Sequence, residues 1–226
     1  MKKNKIEIAQ TAYGKDVNQD YSVSTENIAV ILDGCGSGEH SEIGSSRMGE
    51  AIRKNSSSLD EKNFERFANK TLYEFLMEDS REERFISEFQ FTIVACIENS
   101  KAFVVLTAGD GFIITVSKSK QIRYIQLDND LNIANGEAPG YIAYNLNPSL
   151  ARYNHNIYFD KMFFLKTDYE SVYVASDGFR FILNDNFPQD QKQLLEAALI
   201  SRDEATIKAI LKENQSKILD DISISS

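Results

Sequence analysis

The chain has 226 residues, enough to bury a substantial core, and hydrophobic residues at 42% with 11 Gly and 3 Pro give it an ordinary globular composition. Its formal charge of -9 excludes a surface built for nucleic acid, which needs clustered Lys and Arg to displace the counterions of phosphates. The two cysteines, Cys35 and Cys96, stand far apart without metal-type spacing; this excludes a disulfide framework and suits a reducing cytoplasm.

The N-terminus "MKKNKIEIAQTAYG" alternates apolar and polar residues instead of entering an apolar run. No stretch approaches the roughly 20 apolar residues that span a bilayer, so neither an export signal nor a membrane partner is expected. Strand-type patterns cover 4–13, 20–24 and 27–33. A helix is expected from Ser41, its hydroxyl as cap, with Ile43, Met48, Ala51 and Ile52 on one face. Helical spacing resumes after Asp60 with Phe64, Phe67, Ala68, Leu72, Phe75 and Leu76. Strands at 89–98, 101–108, 111–118 and 121–126, joined in part by Asn99-Ser100 and "SKSK", predict an antiparallel meander.

The segment 127–156 is the least regular; its "DNDLN" start imitates a calcium loop, but Ile133 and Pro139 stand where that loop needs Gly and Glu. Strands at 160–166 and 171–176 follow, then helices over 189–216, where "SRDE" predicts a capping box from Ser201 to Glu204. A last strand lies in "DDISIS". Strands and helices in blocks predict an α+β fold with mostly antiparallel sheets, one domain over 1–226.

Five carboxylates sit at the ends of these strands: Asp20 in "NQDYSVS", Asp33 in "VILDGCG", Asp110 in "LTAGDGF", Asp177 in "VYVASDGF", and Asp220 or Asp221 in "ILDDISIS". Carboxylates gathered where water is scarce repel one another and drift toward protonation unless a cation compensates them. Mg²⁺ or Mn²⁺ is the natural compensation, because hard cations prefer oxygen ligands and keep waters in their other positions. Three of the five precede Gly (Gly34, Gly111 and Gly178), a residue that permits a positive φ or a close approach of backbone.

The ordered set "KDVNQD" (15–20), "AVILDGCGSG" with "SEIGSS" (29–46), "LTAGDGF" (106–112), "VYVASDGF" (172–179) and "DDISI" (220–224) resembles the metal-dependent type-2C protein phosphatases, most of all their compact bacterial members. The resemblance implies a two-layer antiparallel β-sandwich with a pair of helices on each outer face and two Mn²⁺ or Mg²⁺ ions at one end. It implies that Asp33 bridges the ions with the Gly34 carbonyl as a further ligand, that Asp177 and Asp220 hold one ion, that Asp20 supports the waters of the other, and that Asp110 contributes to a third, weaker site. Asp220 is preferred to Asp221 because "DDIS" aligns it with the family's ligand. The implied activity is hydrolysis of phosphoserine or phosphothreonine in a protein by a water or hydroxide bridging the metals, opposite a partner kinase in bacterial signalling. A stress or sporulation regulator aimed at one anti-sigma antagonist would share that chemistry.

The chain departs from the pattern in places. Lys15 stands where many relatives carry the Arg that binds the substrate phosphate, and it keeps the charge without the bidentate fork. Cys35 replaces a His found in eukaryotic relatives, "GSG" replaces "GGH", and "FQFT" (89–92) replaces Gly-Thr-Thr. His40 and His155 are expected to be loop or surface residues. In the family the 127–156 region is a flap beside the site, which singles out Tyr141, Tyr144 and Arg152. These departures keep open a second reading, a pseudophosphatase that binds phosphoproteins without turnover.

Overall fold

Two five-stranded antiparallel sheets stack face to face in the computed structural model of the chain, which describes residues 4–36, 38, 40–78, 88–127, 140–146 and 157–226. One sheet runs β2 (Tyr21–Ser24), β3 (Ile28–Gly34), β4 (Phe91–Glu98), β5 (Ala102–Ala108), β8 (Asp160–Leu165). The other runs β1 (Glu7–Gln10), β10 (Ile222–Ser225), β9 (Tyr169–Ala175), β6 (Gly111–Ser117), β7 (Ile122–Leu127). Helices α1 (Ser41–Asn55) and α2 (Phe64–Glu78) cover the first sheet; α4 (Gln189–Ser201) and α5 (Glu204–Glu213), preceded by the single turn α3 (Arg180–Leu183), cover the second. This is the α+β sandwich of four layers that the sequence predicts.

Strand β3 shows how side-chain alternation builds the layers. Ile28, Val30 and Leu32 pack with Met48, Ile52, Phe64 and Leu72 under the helices, whereas Ala29 and Ile31 pack between the sheets with Val94, Val105, Ile113 and Val174. Apolar on both faces, the strand reads as an unbroken hydrophobic run until Asp33, which alternation assigns to the inter-sheet side. The register that pairs Tyr21 with Leu32 brings Asp20, one residue earlier, beside Asp33, and Asp33 itself pairs with Thr92.

A seam of serines completes the approach of the two sheets. Ile222 and Ile224 of β10 face its helices, which leaves Ser223 and Ser225, both fully buried, on the inner side against β2. Ser225 Oγ donates to the Val23 carbonyl at 2.6 Å, and Ser24 Oγ donates to the Ser226 carbonyl at 2.7 Å. Small hydroxyl side chains let the backbones come close here, and Ser225 and Ser24 each satisfy a carbonyl that closeness buries, whereas the buried Ser223 Oγ has no hydrogen bond. The strand ends that carry the aspartates are drawn together as a result.

Three local expectations are corrected. The meander divides, because β4–β5 lies in one sheet and β6–β7 in the other; the crossing is the turn Gly109-Asp110-Gly111, whose glycines have φ +100 and +135, open to residues without a Cβ. Ser41 does not cap α1: His40 takes the N-cap position at φ 63, and Ser41 Oγ donates to the Cys35 carbonyl while accepting from Gln19 Nε2. Ser201 likewise turns back into α4, donating to the Ala197 carbonyl. Arg202 then ends that helix at φ 60, and Asp203 caps α5 by accepting from the Thr206 N–H. Among the described residues no helix is long and apolar enough to cross a membrane.

Candidate metal centre

Because the sheets are antiparallel, β3 and β9 end where β2, β6 and β10 begin. That end of the sandwich gathers Asp33, Asp20, Asp110, Asp177, Asp220 and Asp221. The Asp177 N–H donates to Asp33 Oδ2 at 3.3 Å, which ties the end of β9 to the end of β3 across the gap between sheets.

The group is electrostatically strained. Both carboxylate oxygens of Asp20 are buried and lack a hydrogen bond, with the Ser176 and Ser223 hydroxyls nearby but not in hydrogen-bonding geometry. Burial pushes the Asp20 pKa up to about 7; those hydroxyls oppose the shift and the Asp221 charge adds to it. Asp33 is held well above the usual carboxylate range, first by burial and then by repulsion from Asp20, Asp177 and Asp110. Asp177 is raised as well, by burial that the nearby Arg180 guanidinium only partly offsets. The strain arises because strand ends place charge where water is scarce.

Asp220 and Asp221 play different parts. The Asp221 carboxylate is consumed by backbone, accepting from the N–H of Ala12 and of Gln19, each at 2.8 Å, and so pins the 12–19 loop to the start of β10. Asp220 points into the acidic group, its Oδ1 2.8 Å from Lys15 Nζ and its Oδ2 3.4 Å from Arg180. Burial works against the Lys15 charge, but Asp220, Asp221 and Asp20 prevail and raise its pKa above the ordinary value.

Two of the three Asp-Gly glycines serve space and not a positive φ. A Cβ at Gly34 would lie 2.6 Å from the Gln19 carbonyl oxygen and 2.8 Å from Ser41 Oγ; at Gly178 it would lie 2.0 Å from the Asp221 carbonyl oxygen. Gly178→Ala must therefore push the Asp220-Asp221 backbone away from the β9 end. We expect it to lower stability by about 2 kcal/mol or more by thermal or urea denaturation, the range of core overpacking, and to weaken divalent-ion binding in the same protein.

The donor set suits a hard cation: all oxygen, in excess of its own counter-ions, with two Asp20 oxygens that no protein donor satisfies. Among the described residues no three His, Cys, Asp or Glu side chains stand in an arrangement that could hold a metal ion as they are placed here.

Sequence reasoning missed Arg180, which lies 3.0 Å from Asp177 one helical turn earlier; a base three residues after a site Asp was the available signal. It also missed Gln19, whose side chain joins the Cys35 carbonyl to Ser41, and Thr92, whose buried hydroxyl lacks a hydrogen bond opposite Asp33. His40 is exposed and pairs with Glu42. Neither Cys35 nor Cys96 is in a disulfide among the described residues, and burial pushes Cys96 up to about 12. Tyr141 is buried, its pKa raised by burial and by the Cys35 thiol, and it meets Tyr144 edge-on at 5.3 Å. Arg152 and His155 lie outside the described residues.

Several solved structures share this fold. They include a bacterial serine phosphatase with 16% identity, a TM-score of 0.64, and coverage of 99% of this chain and 96% of that one. Serine/threonine phosphatase Stp1 from Staphylococcus aureus follows, with 16% identity, a TM-score of 0.62 and coverage of 100% and 94%. The catalytic domain of the serine/threonine protein phosphatase PstP, in complex with 2 manganese ions, gives 11% identity, a TM-score of 0.64 and coverage of 98% and 96%. Among curated proteins no sequence matches. The family model for protein phosphatase 2C matches residues 10–213, a span that takes in Asp20, Asp33, Asp110 and Asp177 and stops before Asp220 and β10, and the chain belongs to that family.

Proposed function

We propose that the chain is a single catalytic domain over 1–226 that hydrolyses phosphoserine and phosphothreonine in a protein substrate, dependent on Mn²⁺ or Mg²⁺, in bacterial cytoplasmic signalling opposite a partner kinase. The observation that carries this reading is the gathering of Asp20, Asp33, Asp177 and Asp220 at one end of the sheets, with the Asp20 oxygens buried and unsatisfied. Asp33 would hold both ions with the Gly34 carbonyl as a further ligand, Asp177 and Asp220 one of them, Asp20 the water shell of the other, and Asp110 a weaker third. Two such ions would polarise the phosphoryl oxygens and lower the pKa of a water for in-line attack. PstP, of the same fold, holds 2 manganese ions.

The chain's own residues then orient and select. Lys15, which pairs with Asp220 at 2.8 Å, would meet the substrate phosphate with a point charge. Gln19 and Ser41 hold the Cys35 carbonyl and so fix the backbone that turns at Gly34. The pseudophosphatase reading draws on the absence, among the described residues, of any three His, Cys, Asp or Glu side chains arranged to hold a metal ion.

Hydrolysis of a phosphothreonine peptide decides between the two. Manganese-dependent turnover is expected, abolished by EDTA and lowered at least about a thousandfold in Asp177→Asn. Manganese binding without phosphate release from any of a panel of phosphopeptides would move the reading to the pseudophosphatase.

A further inference from the structure

The arrangement of charge around Asp220 points to a second substrate-binding residue on a different element from Lys15. We infer that Arg180 is a phosphate-recognition residue that changes partners: it neutralises Asp177 and Asp220 while these lack a metal, and turns to the substrate phosphate once divalent ions take them. The inference rests on the phosphatase reading and deepens it.

Three observations carry it. Arg180 contacts two carboxylates through one nitrogen each, NH1 to Asp177 Oδ2 at 3.0 Å and NH2 to Asp220 Oδ2 at 3.4 Å, so neither pair uses the full fork. Its side chain is 53% exposed, and exposed single-contact ion pairs are weak, so their loss costs little. Asp220 is held from both sides, Lys15 on Oδ1 and Arg180 on Oδ2, a small anion between two cations.

A phosphoryl group offers the same motif: oxygens spaced to take one donor from each side, and two where a guanidinium can present its fork. Lys15 alone supplies a single charge, and a dianion approaching this acidic end needs more positive charge than that. Arg180 comes from the first turn after β9, three residues beyond Asp177, which places it at the rim of the metal-binding group and outside it. The guanidinium also lies 5.3 Å from the Phe181 ring centroid, an apolar support that remains when its carboxylate partners leave. The fork that position 15 lacks is thus supplied from position 180.

The exchange predicts effects of opposite sign, which a purely structural role would not give. By titration calorimetry, Arg180→Gln should bind Mn²⁺ a few-fold more tightly, because an internal competitor is gone. Inorganic phosphate should bind the manganese-loaded variant about ten-fold more weakly, the lower end for a charge-assisted contact at a solvent-facing site. Arg180→Lys should lie between, and KM for a phosphothreonine peptide should rise with the phosphate Kd while kcat changes less. Unchanged phosphate affinity in Arg180→Gln, or weakened manganese binding, would overturn the exchange. Calorimetry needs no turnover, so a wild-type protein that binds phosphate through Arg180 yet hydrolyses nothing would uphold this inference and overturn the phosphatase reading alone.

Discussion

Asp33→Asn is expected to reduce phosphopeptide hydrolysis at least about a thousandfold while raising the melting temperature of the metal-free protein by a few degrees. The two effects have one cause. Asp33 is half-buried beside Asp20, Asp177 and Asp110, so its charged form is costly without a cation, and its carboxyl is held well above the usual range. The amide keeps the shape and retains an oxygen to accept the Asp177 N–H, now 3.3 Å from Oδ2, while it removes the charge. Repulsion disappears, and with it the charge proposed to bind metal, the trade of stability for function common at such sites. Thermal melts in EDTA at pH 8, paired with manganese-stimulated turnover, check both halves. Activity within tenfold of wild type would remove Asp33 from the centre, and a lower melting temperature would show that the acidic group is not a source of strain.

The positions of the aspartates were legible because strand alternation and the Asp-Gly breaks are local signals. An apolar run such as "IAVIL" has to stop somewhere, and the residue that stops it lies at a sheet edge. Partners chosen by tertiary structure were not legible in the same way. Asp220 and Asp221 are adjacent and chemically identical, and only the backbone donors of Ala12 and Gln19, about 200 positions away, separate their roles. Arg180 reads as an exposed helix residue until the start of β10 brings Asp220 beside it. The split of the meander was hidden for a related reason: strands β5 and β6 have ordinary strand patterns, and the decision to cross between sheets lies in the φ values of Gly109 and Gly111. The misplaced caps at Ser41 and Ser201 show that a hydroxyl at a helix end has several acceptors to choose from.

Protons and divalent ions should compete for this end of the molecule, with a sign that the raised pKa values fix. Asp20 titrates at an ordinary 3.8 when unfolded and at about 7 when folded, and Asp33 and Asp177 shift in the same direction. Between those two pH values the unfolded chain has released protons that the folded chain still holds, so stability of the metal-free protein falls as pH rises through the window and levels off above it. Asp203 shifts down and Lys15 shifts up, so their effects fall below and above that window. Melts in EDTA at pH 5, 6, 7 and 8 should therefore show a declining melting temperature, and Asp20→Asn should flatten the decline. If Mn²⁺ binds here as proposed, it should do so only where the carboxylates are ionised, so its stabilisation should grow across the same range, reaching about 2.7 kcal/mol at a hundredfold excess over Kd. A melting temperature that rises with pH in EDTA, or a manganese shift equal at pH 5 and pH 8, would mean that these aspartates are neither strained together nor the seat of the metal.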